Sequence, residues 1–171
     1  MKQIIALSEL VLKLQDYPNL NRGGCGVVAA HIAKRLQHIF PTRVVVYNEN
    51  PDIKVDNIRN KIKNTNSPTQ WEKKGFRWDH VYVEFDFENK TYLMDSDGIQ
   101  VAKDTIDLTT RNYEFILHKS GYLTIDEICA HAAVSTNWNW AFDRWRIPAI
   151  KKRIHRFFIH YTQLIQNEIE V

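Results

Sequence analysis

Trp78-Asp79-His80-Val81-Tyr82-Val83-Glu84-Phe85-Asp86-Phe87 alternates between apolar and polar side chains, the period of a strand whose two faces meet different surroundings. Val81, Val83, Phe85 and Phe87 share one face; His80, Tyr82, Glu84 and Asp86 share the other. Glu88-Asn89-Lys90 reads as the turn, and Thr91-Tyr92-Leu93-Met94-Asp95 returns as the antiparallel partner. Asp97-Gly98 then starts another turn. Parity gives this hairpin chemical meaning. With an even number of loop residues, His80 and Asp95 fall on one sheet face, within reach of each other; an odd number turns Asp95 away. Asp97 has the parity of Asp95 and is the alternative partner for the histidine.

Upstream, Ile4, Leu7, Val11 and Leu14 stand at the spacing of one buried helix stripe, and Asp16-Tyr17-Pro18-Asn19 ends that helix. Asn21-Arg22-Gly23-Gly24-Cys25-Gly26 follows as a glycine-rich turn into a second helix, expected from about Gly24 to Ile39. Val28, Ile32, Leu36 and Ile39 form its apolar stripe with Cys25 on the same face, while Lys34, Arg35 and Gln37 face solvent. Phe40-Pro41 stops it, and Thr42-Arg43-Val44-Val45-Val46-Tyr47 is a β-branched strand. The polar stretch from Asn48 to Lys74 carries one weak helical pattern, Ile53, Val55, Ile58 and Ile62, and is a candidate lid or specificity loop.

The last third reads as helical after one more strand, Tyr113–Leu117. Thr124-Ile125-Asp126-Glu127 is a capping box opening a helix to about Val134. Pro148 suits the first turn of a long helix from Ala149 to about Glu168, with Ile150, Ile154, Phe157, Phe158, Tyr161 and Ile165 on one face. The segment from the Asp97-Gly98 turn to Tyr113 is read as loop, with no special role for Asp104 or Asp107.

A cysteine at the start of a helix is placed where free backbone N–H groups and the positive end of the dipole gather. Both favour thiolate, as does a neighbouring imidazolium, so Cys25 is expected to alkylate well below pH 8. Small flanking residues Gly24 and Gly26 leave backbone N–H groups open to a substrate carbonyl, and Cys25 itself can supply one oxyanion donor. The competing reading is a buried core cysteine beside a tight glycine turn. His80 can take the thiol proton and return it to a leaving group, and Asp95 can fix the imidazole tautomer.

Gly-Cys at a helix start, then "HIFPTRVVVYN", then "WDHVYVEFDFENKTYLMDSDG" resembles the core of the transglutaminase-like branch of the papain-like cysteine-enzyme superfamily, over roughly residues 20 to 98. The resemblance implies an α+β fold with a papain-like/transglutaminase-like core: N-terminal helices packed on an antiparallel β-sheet, with a helical C-terminal extension. It implies Cys25 as nucleophile, His80 as base and acid, and Asp95 as orienting group. Relatives include peptidases, amidases, transglutaminases and acyltransferases. A second oxyanion donor is sought in Asn19, Asn21 or Tyr17, and Trp78 flanks the site.

Composition narrows the rest. At 171 residues with 44% hydrophobic and 25% charged content, one folded domain is expected over 1–171, its core at about 20–118 and a helical region at about 122–171. Two cysteines, Cys25 and Cys129, make no disulfide framework and point to a reducing compartment. Glu9 and Lys13 interrupt the N-terminal apolar run, so it reads as an amphipathic helix rather than a signal peptide, and no run approaches membrane-spanning length. A cytoplasmic enzyme is expected, of a kind that would suit a phage-encoded or effector protein acting in a host cell. No cofactor or metal is expected, since Cys129 and His131 have no second ligand pair at matching spacing.

Three readings of function follow. A cysteine hydrolase (peptidase, amidase or deamidase) on protein or peptide substrates leads. An acyltransferase using the same triad is second. Third is a non-catalytic protein- or nucleic-acid-binding module using the basic-aromatic stretch from Trp138 through Arg156, although the aromatics of its last helix follow the apolar stripe and are more simply core.

Overall fold

The structure is a computed structural model and describes residues 2–17, 20, 24–56, 59, 78–109, 114–134 and 146–169. Helices α1 (Lys2–Leu14) and α2 (Cys25–Leu36) lead into strand β1 (Thr42–Asn48). Strands β2 (His80–Phe87), β3 (Lys90–Met94), β4 (Ile99–Val101), β5 (Thr105–Thr109) and β6 (Glu114–Leu123) follow, then helices α3 (Ile125–Val134) and α4 (Ile147–Ile169). The strands form one sheet in the order β4-β3-β2-β1-β6-β5, with every described pairing antiparallel. The architecture is α+β.

The hairpin register settles the parity question. Phe87 pairs with Lys90, so the turn is Glu88-Asn89 alone and Lys90 belongs to β3. Both turn residues have positive φ, 47° and 62°. Two left-handed residues make a primed turn whose twist matches that of the strands, which is why the connection closes in two residues rather than three. The loop is even, and His80, Tyr82 and Asp95 share a face.

That face is not solvated. His80, Tyr82 and Glu84 are all buried. Val45, Tyr47, Tyr82, Leu93, Ile106 and Leu117 form a small second core over it. Glu84 is satisfied there: Arg43 Nε (2.8 Å), Lys119 Nζ (3.1 Å) and the Tyr122 hydroxyl (3.0 Å) all donate to it. A buried carboxylate without such partners would be prohibitively costly.

The opposite face carries the main core. Val44 and Val46 of β1, Val81, Val83 and Phe85 of β2, and Met94 of β3 meet Leu7, Leu10 and Leu14 of α1, Ile32 and Leu36 of α2, Ile128 of α3 and Ile150, Ile154 and Phe158 of α4 in one cluster. Helix α2 lies on β1 and β2 with α3 and α4 against it, and α1 packs on α4. The first and last helices therefore share the core that seats Cys25.

Two edge strands, β4 and β5, lie where a loop is expected. Their brevity and their charged or polar residues hide the alternation, and they gain order from pairing with β3 and β6. Strand β6 likewise runs through Lys119-Ser120-Gly121, a turn-like sequence, because β1 pairs with it and a register shift between Val46 and Tyr47 absorbs the irregularity. Gly121 has φ +140°, and a Cβ there would stand 3.1 Å from the Val55 side chain. The capping box is made as expected: the Glu127 N–H donates to Thr124 Oγ1 (3.0 Å), and the Thr124 N–H donates to Glu127 Oε2 (2.7 Å). Helix α2 stops at Leu36, three residues short of expectation, and Gln37–Ile39 continue as turns. Of the weak helical pattern at 53–62, Ile58 and Ile62 lie outside the described residues.

Phe85 is fully buried, with the rings of Phe40 and Tyr92 each 5.6 Å away. Phe85→Ala is expected to destabilise the fold by about 3–5 kcal/mol, from lost transfer energy and the remaining cavity; the denaturant midpoint measures it.

Candidate functional site

The site lies at the end of the sheet where β2 begins and β3 stops. Odd residues of β2 direct their peptide groups toward β3, since Phe87 and Lys90 close the two-residue turn. The Val81 N–H therefore points to where β3 would continue, but β3 ends at Met94. The Cys25 sulfur lies close enough to this N–H to feel it. The backbone N–H groups of Val81, Gly26 and Cys25 all favour charge on this sulfur. Gly24 is the N-cap of α2 and provides no side-chain cap, so the first N–H groups of the helix are left to the thiol and to whatever binds beside it.

His80 immediately precedes Val81, and its Nε2–H donates to Asp95 Oδ2 at 2.8 Å. This bond leaves Nδ1 as the lone-pair nitrogen, the one free to accept a proton. Asp95 is held in turn: its Oδ1 accepts the backbone N–H groups of Asp97 (2.8 Å) and Gly98 (3.0 Å), and its own N–H donates to the Gly98 carbonyl (3.1 Å). The carboxylate is thus fixed by a turn of its own making. Between the two sequence candidates, Asp95 bonds the imidazole and Asp97 supports Asp95.

Cys25, His80 and Asp95 are 5%, 6% and 8% exposed. Burial has an electrostatic consequence opposite to the sequence expectation. It pushes the Cys25 thiol up to about 11, outweighing the three N–H groups, while the negative charge of Asp95 adds to the rise. The thiolate predicted from the helix dipole alone is therefore not the resting form. Desolvation acts on the whole charge, whereas the dipole offers only fractional charges.

The other sequence candidates are distributed as follows. Trp78 is half-buried against the main core just before β2. The Tyr17 ring lies under the Arg153 guanidinium (4.8 Å) where α1 meets α4. Asn19 and Asn21 lie outside the described residues, as do Trp138, Trp140, Phe142 and Trp145. Phe157, Phe158 and Tyr161, just beyond the basic-aromatic stretch, are buried in the main core.

Two participants escaped sequence reading. The Val81 N–H is a backbone group that only the end of β3 makes available. Tyr82 is the other: its ring meets that of His80 edge-on with centroids 4.3 Å apart, and meets Tyr47 at 5.5 Å. Burial, with the nearby Asp95 charge, holds its hydroxyl well above the usual tyrosine range. Its position two residues after His80 was the available signal.

Among the described residues no group of three side chains could hold a metal ion, and no helix is long and apolar enough to cross a membrane. Both cysteines are free thiols. No family model matches the chain, and neither a curated protein nor a solved structure matches it.

The raised thiol makes a prediction for Cys25. Its ordinary value is 9.0 and its folded value about 11. Below pH ~9 both folded and unfolded chains keep this proton; between ~9 and ~11 the unfolded chain loses it first and stability falls, by about 2–3 kcal/mol in all. Cys25→Ala is expected to flatten this alkaline loss in denaturation midpoints. Iodoacetamide should label Cys25 of the folded protein slowly at pH 8 and faster through pH 9–11, read by peptide mass. A labelling rate already at plateau below pH 8 would identify a resting thiolate instead.

Proposed function

We propose that the chain is a thiol-dependent enzyme that acts on an amide or acyl bond of a protein or peptide, in the manner of the transglutaminase-like branch of the papain-like superfamily. The observation that carries the reading is the hydrogen bond from His80 Nε2 to Asp95, one residue from the peptide N–H that meets the Cys25 sulfur. A buried imidazole held by a carboxylate, one residue along the strand from the peptide N–H that acts on a helix-start thiol, is the kind of arrangement that general-base activation uses.

In this reading His80 Nδ1 takes the thiol proton as the sulfur attacks the substrate carbonyl, and Asp95 stabilises the imidazolium that results. The C=O π pair moves onto oxygen, where α2 N–H groups can receive it. Collapse breaks the bond to the leaving group, which takes the proton from His80, and a thioester on Cys25 remains. Water attacks the thioester with His80 again as base, releasing the acid and restoring the thiol. The proton moves in step with attack, so a neutral resting thiol suits this sequence. Hydrolysis is the leading reading, and an amine in place of water would give acyl transfer.

The test is the burst of nitrophenolate from p-nitrophenyl acetate, with the acetylated protein read by mass spectrometry. The intact chain is expected to release about one equivalent with the acetyl group on Cys25. His80→Ala should slow the burst by roughly 10²–10⁴-fold, and Asp95→Asn should slow it by less. A burst rate unchanged in His80→Ala would sink the reading. Casein and glutamine peptides with and without an added primary amine then separate the outcomes: cleavage or deamidation marks hydrolysis, and amine incorporation marks transfer.

A further inference from the structure

About 18 Å along α2 from Cys25, by helix rise, its last turn and the chain after it form an open groove with α4 of about 430 Å³. Ile39 and Phe158 make an apolar floor, and Ile159, 46% exposed, stands at its edge. Arg35 and His38 line one wall and His155 the other, with no carboxylate among the lining residues. Lys34 and Lys151 are exposed nearby, close enough that both, with Arg35, repel a proton from His31 between them. Burial first, and then these three cations, hold the His31 imidazole down at about 4.

Two of these cations have a local reason to be present. Lys34 and Arg35 sit in the last turn of α2, where the dipole favours positive charge, and Arg35 donates to the His31 carbonyl. Those of α4 do not. Its first turn holds no acid, and Lys151 with His155 and Lys152 with Arg156 place basic groups four residues apart, a spacing that weakens a helix when both are charged. Arg153 is matched by Asp16 and by the Lys13 carbonyl; among the described residues Lys151 and His155 form no ion pair. A helix that keeps basic groups against its own preference, facing an apolar floor, is built for an anionic partner.

We infer that this groove docks an acidic peptide segment of a partner protein, its carboxylates meeting Arg35, His38, His155 and Lys151 and one bulky apolar side chain resting on Ile39, Phe158 and Ile159. A concave apolar floor with cations at its rim suits a peptide that alternates acid and hydrophobe. Single-stranded nucleic acid is favoured by exposed aromatics that stack its bases, and Phe157 and Tyr161 of α4 are buried in the core. The groove is remote from Cys25, so docking stands independently of any reaction there.

The test is fluorescence anisotropy with a labelled peptide alternating glutamate and leucine, using the full chain at low and physiological salt. Micromolar binding that weakens with salt is expected, with no binding of the glutamine-for-glutamate peptide. The double variant Lys151→Glu with His155→Glu should weaken binding at least tenfold, and Ile159→Ser should weaken it severalfold. Lys90→Glu with Lys103→Glu reverses two exposed charges, in β3 and between β4 and β5, outside the groove lining, and should change binding little; circular dichroism verifies that each variant folds. Equal loss in both double variants, or no effect of Ile159→Ser, would mean diffuse charge attraction and overturn the groove. Binding of polyuridylate or phosphatidylserine vesicles in place of the peptide would overturn it as well.

Discussion

The 2.8 Å hydrogen bond between His80 and Asp95 exists because Phe87 pairs with Lys90 seven residues away. Register in a hairpin is all-or-none: side chains alternate strictly, so a slip of one residue in β3 would carry Asp95 to the opposite face. The primed Glu88-Asn89 turn holds that register at one end. At the other, Asp95 makes a turn with Asp97 and Gly98 just past the end of β3. The same few residues thus put His80 and Asp95 on one face and hold the Asp95 carboxylate in place.

Helix α2 supplies the second constraint, and it acts at both ends. Its apolar stripe is pinned by α1, α3, α4 and the sheet, which fixes where its N-terminus overhangs the end of β2. The seating buries Cys25 so well that desolvation exceeds the helix-end N–H groups, and the thiol stays neutral. A buried, protonated thiol is protected from adventitious oxidation and alkylation. The other end of α2 meets α4 at the basic groove, so the two candidate surfaces are joined by one rigid element.

The outer face of the sheet shows how a polar strand face can be buried without penalty. Glu84 has three donors and His80 has Asp95, and Tyr47 donates to the Lys103 carbonyl. The small core around Tyr47, Tyr82 and Leu117 then covers the face. Such fully satisfied groups favour one arrangement over near alternatives, because any shift leaves a charge unpaired in a low-dielectric setting. Tyr82 ties this face to the site through its edge contact with His80.

Much of this was legible in local pattern. Alternation over 80–87, the helix stripe behind Cys25, the capping box at Thr124 and the apolar face of α4 are short-range signals, and each appears at or near its expected place. The candidate residues Cys25, His80 and Asp95 were readable by type and parity, because side-chain direction in a strand or helix follows from spacing alone. Three features required tertiary structure. Edge strands β4 and β5 exist through pairing partners that no local window contains. The face read as polar became interior because β5, β6 and the chain after β4 bring residues over it. The state of the Cys25 thiol was decided by burial, a sum over neighbours from α2, β2 and β3 that spacing cannot supply. Sequence determined which residue types stand at the glycine-flanked helix start and on the hairpin; packing decided that Cys25, His80 and Asp95 are each buried, and desolvation depends on everything that surrounds a charge.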